Sequence, residues 1–323
     1  MEILRKNRGI DHVRTPSEPK NTKRLIQKDL KKNWFVYLMA LPVVAWFLIF
    51  CYGPMWGVMI AFKDFKPLLG FADSDWVGFK HFIDFFSGPY FWRVVKNTLL
   101  LNVWGIVFGF TAPIILALLL NEVRSSKFKR TVQTITYMPH FISLVVVCGI
   151  IHIFTSNEGV VTQLLSFITG KDYSSLLGYS NLFRPIYTFS GIWQSIGWDS
   201  IIYLAAMSSI DPSLYEAADI DGVGRVKKMW YITLPQISPV IIILFIFAIG
   251  GLMASGYEKI ILLYNPLIYD TADVIASYVY RRGLREASLS YSTAVGLVSS
   301  IVNFGLLWMT NTIVKRRSES SLW

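Results

Sequence analysis

Residues 208–235 read SSIDPSLYEAADIDGVGRVKKMWYITLP and lie between two strongly apolar runs. Asp211 is a favourable N-cap, and Pro212 suits the first helical position, where its missing N–H leaves no hydrogen bond unmade. Gly222 and Gly224 accept the left-handed backbone that ends many helices. The spacing therefore predicts a helix of about ten residues, about 15 Å long, that projects between two membrane spans.

The surface of this predicted helix is suited to docking against another protein. Glu216 can reach a basic or hydrogen-bonding partner at the edge of the contact. Beyond the glycines, 225–231 is predicted to form a second short helix, and Leu234-Pro235 is expected to turn the chain back into the membrane. The apolar contact would come from Leu214, Tyr215, Ala218 and Ile220.

The composition indicates that lipid is part of the solvent. Of the 323 residues, 53 % are hydrophobic and 16 % are charged, and mean hydropathy is +0.45. A bilayer span needs roughly 20 mostly apolar residues. The sequence predicts an all-α, polytopic integral membrane protein with six transmembrane helices at about 34–62, 99–120, 138–154, 186–207, 237–255 and 293–314.

Charge predicts the orientation. The net charge is +10, and most of the 31 Lys and Arg residues fall in the segments that share a side with the N-terminus. The positive-inside rule then places both termini in the cytoplasm, with long outer segments at 63–98, 155–185 and 256–292. Because the basic residues cluster beside spans, membrane lipid is the expected partner and nucleic acid is not. The predicted organisation is a basic cytoplasmic tail (1–33), a transmembrane domain (34–314) and a short cytoplasmic C-terminal tail (315–323).

Several chemistries lack their sequence signals. Gly170-Lys171 is followed by Asp172, so the phosphate loop that an ATPase needs is missing. Cys51 and Cys148 lie in apolar runs without metal-ligand spacing, and no metal site is expected. Asp199 is the main ionisable residue within the predicted spans, which gives little basis for an ion relay. An ion-coupled secondary sugar transporter remains the alternative to a transporter that is driven by a separate ATPase. A membrane-integral enzyme is disfavoured.

The loop also resembles a known family. The residues Glu216-Ala217-Ala218, Asp221-Gly222, Ile232 and Leu234-Pro235 resemble the "EAA" loop of binding-protein-dependent ABC importer permeases. In that family the element is a coupling helix held in a cleft of a separate ATP-binding subunit. The resemblance implies a type I ABC importer permease fold, and it assigns ATPase coupling to Glu216, Ala217, Ala218, Gly222, Leu234 and Pro235.

The resemblance covers nearly the whole chain after the basic tail. It points to the carbohydrate branch, closest to permeases for polysaccharides and complex oligosaccharides, and implies a non-catalytic subunit. The implied partners are a second homologous permease in a heterodimer, two ATP-binding subunits that hold ATP and Mg²⁺, and an extracytoplasmic solute-binding protein; the chain itself would bind no cofactor. The motifs that carry it are 62–67 (FKDFKP), 76–79 (WVGF), 97–99 (NTL), 137–139 (YMP), 273–275 (DVI), 278–281 (YVYR) and 321–323 (SLW).

Aromatic and polar residues within the predicted spans and beside them are candidates for substrate contact. Sugar rings stack on aromatic faces, while their hydroxyls bond to polar side chains. Gln194 and Trp198 share a helix face, with Asp199 one step round. The expected oligosaccharide-binding residues are Trp193, Gln194, Trp198, Asp199, Asn102, Tyr257 and Glu258.

Overall fold

The computed structural model describes residues 29–254 and 256–316 and is predominantly helical. A small antiparallel ribbon pairs β1 (Lys63–Asp64) with β2 (Asp75–Trp76). Most of the predicted basic tail and residues 317–323 lie outside the described part of the chain. The helices, in chain order, are α1 Trp34–Phe62, α2 Lys80–Phe86, α3 Phe91–Glu122, α4 Ser126–Phe141, α5 Leu144–Phe154, α6 Val160–Thr169, α7 Ser180–Ser208, α8 Pro212–Ile220, α9 Arg225–Gly250, α10 Tyr257–Leu263, α11 Tyr269–Ala272, α12 Ile275–Tyr280 and α13 Leu289–Lys315.

Four of the described helices are long and apolar enough to cross a bilayer: α1, α3, α9 and α13. A fifth crossing is present if the bent pair α4 and α5 counts as one span. The fourth predicted span corresponds to α7, which has 29 residues but falls outside the apolar set. Its length is sufficient, while polar residues such as Gln194 and Asp199 lower its hydropathy.

The third predicted span, 138–154, contains a sharp break. The axes of α4 and α5 differ by 102°. Pro139 lies in a short 3₁₀ turn at the end of α4, and Ile142 is extended. Ser143 then starts α5 as its N-cap, accepting a hydrogen bond from the backbone N–H of Val146. Proline followed by a fresh N-cap explains the break, because both interrupt the backbone ladder of a continuous helix.

The predicted turn at Leu234-Pro235 is wrong. The second short helix and the fifth span form one continuous helix, α9, of 26 residues. A π-helical stretch at Met229–Thr233 precedes Pro235. Proline is accommodated there because the wider turn already departs from the regular bonding ladder.

The chain divides into two compact units, Met1–Gly57 and Val58–Trp323. In the described part of the first, the apolar side chains of α1 are exposed all round, as expected of a helix that faces lipid or another subunit. The second unit contains the buried cores. One joins α5, α7, α10 and α11 through residues that include Val147, Ile151, Phe183, Ile260, Leu263 and Ala272.

A second core lies where α7 ends and α9 begins, the ends from which the 208–235 loop emerges. It is formed by Ala117, Tyr203, Met207 and Ile237. Further along α7, Gly197 allows α4 to cross at very short range. A Cβ atom at this position would lie 2.3 Å from the backbone oxygen of Thr136. The crossing therefore requires glycine.

Candidate coupling and translocation sites

Helix α8 begins as the sequence predicts. The Asp211 carboxylate accepts a 2.9 Å hydrogen bond from the backbone N–H of Ser213, and Pro212 occupies the first turn. This hydrogen bond lowers the pKa of Asp211, because it favours the charged carboxylate. The helix has nine residues. Its predicted start and length are confirmed.

Its C-terminus is closed by a Schellman motif around Gly222. The glycine has φ +70°, in the left-handed region. The backbone N–H of Val223 donates to the carbonyl of Ala218 at 2.9 Å, and that of Gly222 donates to Asp219 at 3.1 Å. These two bonds satisfy carbonyls that would otherwise be left open at the helix end. Gly222 is thus required by the backbone geometry.

Two side-chain contacts fix α8 against the start of α9. The hydroxyl of Tyr215 lies 2.9 Å from Oγ1 of Thr233, which is buried. The Lys228 ammonium forms an ion pair with the Asp219 carboxylate. Thr233 immediately precedes Leu234 and Pro235 in the same continuous helix. Both contacts therefore hold α8 against the first turns of α9.

The exposed face of α8 differs from the predicted one. Glu216 and Ala217 are exposed, and Ile220 is 87 % exposed. Ala218, which the sequence placed on the docking surface, is buried against its own chain. Tyr215 is part-buried by its bond to Thr233. The surface open to another protein is therefore formed by Glu216, Ala217 and Ile220, together with half-exposed Leu214.

Trp198 and Asp199 line a cavity of about 380 Å³ between α3, α7 and α9. The Trp198 ring stacks in parallel on His140, with centroids 4.5 Å apart and planes 3° apart. Phe141 meets the same indole edge-on. Asp199 makes no hydrogen bond or ion pair with the residues that the structure describes. An aromatic platform beside an open carboxylate fits contact with a hydroxyl-rich ligand.

The other predicted substrate residues do not converge on this cavity. Trp193 lines a separate apolar cavity of about 300 Å³. Tyr257 lines a third, of about 560 Å³, where it stacks on Tyr280. Asn102 donates to the carbonyl of Thr98 in its own helix at 2.8 Å. Gln194 is part-buried on α7, and Glu258 is exposed at the start of α10. The seven residues are thus divided among several places on the chain.

A buried ionic network escaped prediction as a site. Asp273 is fully buried and pairs with Arg281 at 2.8 Å and Arg93 at 3.2 Å. Burial lowers the pKa of Arg281, but hydrogen bonds and the charge of Asp273 outweigh it and raise that pKa overall. Ser277 donates a further hydrogen bond to Asp273 at 3.0 Å. The only sequence signal for this network was the pair of motifs at 273–275 and 278–281, and by themselves these motifs indicated only the family resemblance.

Asn97 extends this network to two spanning helices. Its amide donates to the carbonyls of Asp270 at 2.9 Å and Asp273 at 3.1 Å. Its side-chain oxygen accepts a bond from Arg184 at 2.9 Å. The network thus joins α3, the start of α7 and the segment after α10. Since α8 follows the other end of α7, the network and α8 lie at opposite ends of that helix.

Lys259 is a buried cation that lies outside the Asp273 network. Its ammonium donates to the carbonyl of Tyr187 at 3.1 Å and lies 4.9 Å from the centre of that ring. No carboxylate among the described residues pairs with it. Burial lowers the pKa of Lys259 to about 8. Among the same residues, no three His, Cys, Asp or Glu side chains are grouped so as to hold a metal ion.

Comparison with known proteins decides the family. The family model described as "Binding-protein-dependent transport system inner membrane component" matches residues 105–319. The chain belongs to this family. Membership, with several apolar helices, makes it a multi-pass membrane protein and confirms the predicted permease fold. It also confirms the predicted resemblance of the chain to this family.

Relatives in this family align with the chain over almost its whole length. Protein LplB of Bacillus subtilis (strain 168) is 45 % identical, covering 91 % of this chain and 92 % of its own. The polygalacturonan/rhamnogalacturonan transport system permease protein YteP of the same organism is 44 % identical, covering 93 % of this chain and 94 % of its own.

Solved structures agree. A chain of a bacterial ABC transporter involved in the import of the acidic polysaccharide alginate is 44 % identical, with TM-score 0.84, covering 91 % of this chain and 100 % of its own. A second structure, of a bacterial alginate ABC transporter in complex with an alginate pentasaccharide-bound periplasmic protein, is 43 % identical, with TM-score 0.84, covering 92 % of this chain and 99 % of its own. The family fold is therefore shared over the full permease region.

Proposed function

We propose that the chain is the permease subunit of an ATP-binding-cassette importer that moves oligosaccharides or polysaccharide fragments across the bacterial cytoplasmic membrane. Its partners would be a second homologous permease, two ATP-binding subunits and an extracytoplasmic solute-binding protein. ATP and Mg²⁺ would be held by the ATP-binding subunits. The chain would perform no covalent chemistry and carry no cofactor of its own.

The observation that carries this proposal is the construction of α8. Asp211 and Gly222 close its two ends, so the open backbone groups there are satisfied within the chain. Tyr215 binds it to the start of a spanning helix. At the same time Glu216 and Ala217 remain exposed. A short helix that is rigidly joined to a span and bare on its outer side has the properties of a force-transmitting contact.

The proposed orientation follows from this role and from charge. ATP-binding subunits are cytoplasmic, so α8 would lie on the cytoplasmic side with both chain termini. Arg225, Lys227 and Lys228 flank α8, as the positive-inside rule requires. The Asp273 network, at the opposite end of α7, would then face the exterior.

Alternating access follows from these attachments. Closure of the ATP-binding subunits would shift α8, and the bond between Tyr215 and Thr233 would pass the shift to α9. Because Leu244 of α9 lines the same cavity as Trp198 and Asp199, movement of α9 changes the shape of that cavity. We assign the cavity to the translocation pathway. Its aromatic and carboxylate groups would contact sugar rings and hydroxyls.

The substrate class is inferred from the relatives. Alginate and polygalacturonan, named for two of them, are chains of acidic sugars, so fragments of acidic polysaccharides are the first substrates to test. The complex would be co-expressed with its genomic partners and reconstituted in liposomes with ATP inside. Uptake of alginate, galacturonate and arabinose oligosaccharides would be measured with the solute-binding protein present. Saccharide uptake that depends on ATP and the binding protein is expected; its absence for every oligosaccharide would contradict the proposal.

A further inference from the structure

A further cavity, lined by polar side chains, lies far from the cavity at Trp198. It has a volume of about 490 Å³ and is enclosed by β1, α2, the start of α3, the turn after α12 and the start of α13. This volume is within the range of small-molecule sites. The side chains that matter for its chemistry are Asp64, Asp84, Tyr90, Tyr278, Arg282 and Tyr291.

The two cavities are separated along α3. Tyr90 directly precedes α3 and lines the polar cavity, whereas Phe110 of α3 lines the cavity at Trp198. Twenty residues of helix correspond to about 30 Å. The start of α3 also carries Arg93 and Asn97 of the Asp273 network, so the polar cavity shares that end of the spans. A disaccharide is too short to touch both cavities at once.

The groups in the polar cavity match a sugar ring. The Tyr90 side chain is 43 % exposed and presents an aromatic face, while Arg93 lies 4.7 Å from its centroid. Asp84 has no hydrogen-bond or ion-pair partner among the described residues, and its oxygens can accept bonds from sugar hydroxyls. Asp64 has one distant ion pair, at 3.9 Å, with Lys66. An aromatic face beside free acceptors is the combination that saccharides require.

The opposite wall is held in place. The hydroxyls of Tyr278 and Tyr291 are 3.1 Å apart, and Arg282 reaches Tyr278 while it pairs with Glu286. Arg282 is thus held in place by two residues of its own chain. Ala287 adopts φ +53°, a disfavoured backbone conformation for a residue with a side chain. Such backbone strain persists only where the surrounding structure holds the residue in place, so this wall of the cavity is already formed before a ligand binds.

We propose that this cavity is an outer saccharide subsite, which holds one sugar ring of an oligosaccharide through its hydroxyls before the chain reaches the cavity at Trp198. The inference rests on the proposed function, and it adds a dependence on chain length. A five-ring substrate can gain from the outer subsite while it is transferred inward. A two-ring substrate cannot occupy both cavities.

The test compares two lengths of the same saccharide. Alginate and polygalacturonate fragments of two and five rings would be supplied to the reconstituted importer. The readout is the concentration of sugar-loaded binding protein that gives half-maximal uptake. For five rings, Tyr90→Ala should raise it at least about fivefold, since it removes the aromatic face of the subsite. For two rings the rise should be smaller, because a disaccharide loses this contact once a ring has reached the cavity at Trp198. Trp92→Ala, which removes an exposed neighbour that does not line the cavity, should behave as wild type for both lengths.

Equal effects on both lengths, or no effect on five rings, would overturn the subsite. A second measurement does not depend on turnover. A pentasaccharide with a photoreactive diazirine at one end would be crosslinked to the assembled complex and mapped by mass spectrometry. Crosslinks within 84–90 or 278–291 support the subsite, and crosslinks found only elsewhere contradict it. Failure of uptake for every saccharide would instead count against the proposed function.

Discussion

The phenolic oxygen of Tyr215 lies 2.9 Å from Oγ1 of Thr233, and this hydrogen bond joins the exposed helix α8 to the first turns of the spanning helix α9. Thr233 is 1 % exposed, so solvent does not compete for the bond. The ion pair of Asp219 with Lys228 acts in parallel at a more exposed position. The two helices are therefore coupled mainly through one buried contact.

Removal of this bond should loosen coupling. We expect Tyr215→Phe and Thr233→Val each to lower the number of sugars moved per ATP hydrolysed, while the ATPase still co-purifies. A net hydrogen bond contributes about 1 kcal/mol. The double variant should be no worse than either single one, because both remove the same bond. Additive losses would contradict the linkage, and Tyr231→Phe, at a 79 % exposed residue, is the control.

Gly222→Ala should weaken docking of the ATP-binding subunit. A side chain in the left-handed conformation at φ +70° costs about 1–2 kcal/mol, which would loosen the end of α8. Gly224 has φ −67° and open space around its Cβ position, so Gly224→Ala is the matched control. The measurement is the amount of ATP-binding subunit recovered with the purified permease. Equal recovery from both variants would argue against this role of Gly222.

Gly197→Ala should disrupt the crossing of α4 and α7. Its Cβ would meet the backbone oxygen of Thr136 at 2.3 Å, and a backbone atom cannot rotate away. A shift of α4 would also disturb the stack of His140 on Trp198. We expect a lower apparent melting temperature and reduced uptake. Gly149→Ala, where the Cβ position is open, should have little effect on either measurement.

Asp273→Asn should strongly destabilise the network at the other end of α7. The change leaves Arg93 and Arg281 without their shared carboxylate, and removing one partner of a buried pair costs about 3–5 kcal/mol. Thermal unfolding of the purified complex measures the effect. Asp270→Asn, at an exposed carboxylate nearby, is the control. If the two variants melt alike, the Asp273 pairs do not stabilise the fold.

Lys259 predicts a pH dependence of stability. Its pKa is lowered by burial to about 8, from an ordinary value of 10.5. Between these values the unfolded chain binds more protons than the folded one, so stability should rise as pH increases from about 8 to 10.5. Below pH 8 the buried charge destabilises the fold. Lys259→Met should therefore raise the melting temperature near pH 7 and flatten its rise above pH 8.

Local chemistry made the ends of α8 predictable. Asp211 and Pro212 set its start, and Gly222 sets its end, all through backbone preferences that depend only on nearby residues. The orientation of Ala218 was not predictable in the same way. Which face of a short helix is buried depends on partners elsewhere in the chain, such as Thr233, which bonds to Tyr215.

The contrast between local preferences and long-range contacts also explains the other differences between the predicted and the observed structure. Apolar runs predicted the spans, but hydropathy does not reveal that Pro139 and Ser143 break one of them by 102°. Nor does it show that a π-helical stretch lets Pro235 remain within a helix. The substrate candidates were chosen by residue type, and residue type cannot show which of them share a cavity. The structural role of Asp273 depends on its contact with Arg93, 180 residues away in the sequence, and local patterns cannot predict such a contact.

The modest hydropathy of α7 has a consequence for how the protein is made. A 29-residue segment with Arg184 and Asp199 gains little from entering lipid by itself. Its neighbours α3 and α9 are strongly apolar and precede and follow it during synthesis. We therefore expect packing against α3 and α9 to be what holds α7 in the bilayer. Mutations that make α3 less able to pack should cause loss of the whole chain by quality-control proteolysis, rather than a folded permease with altered transport.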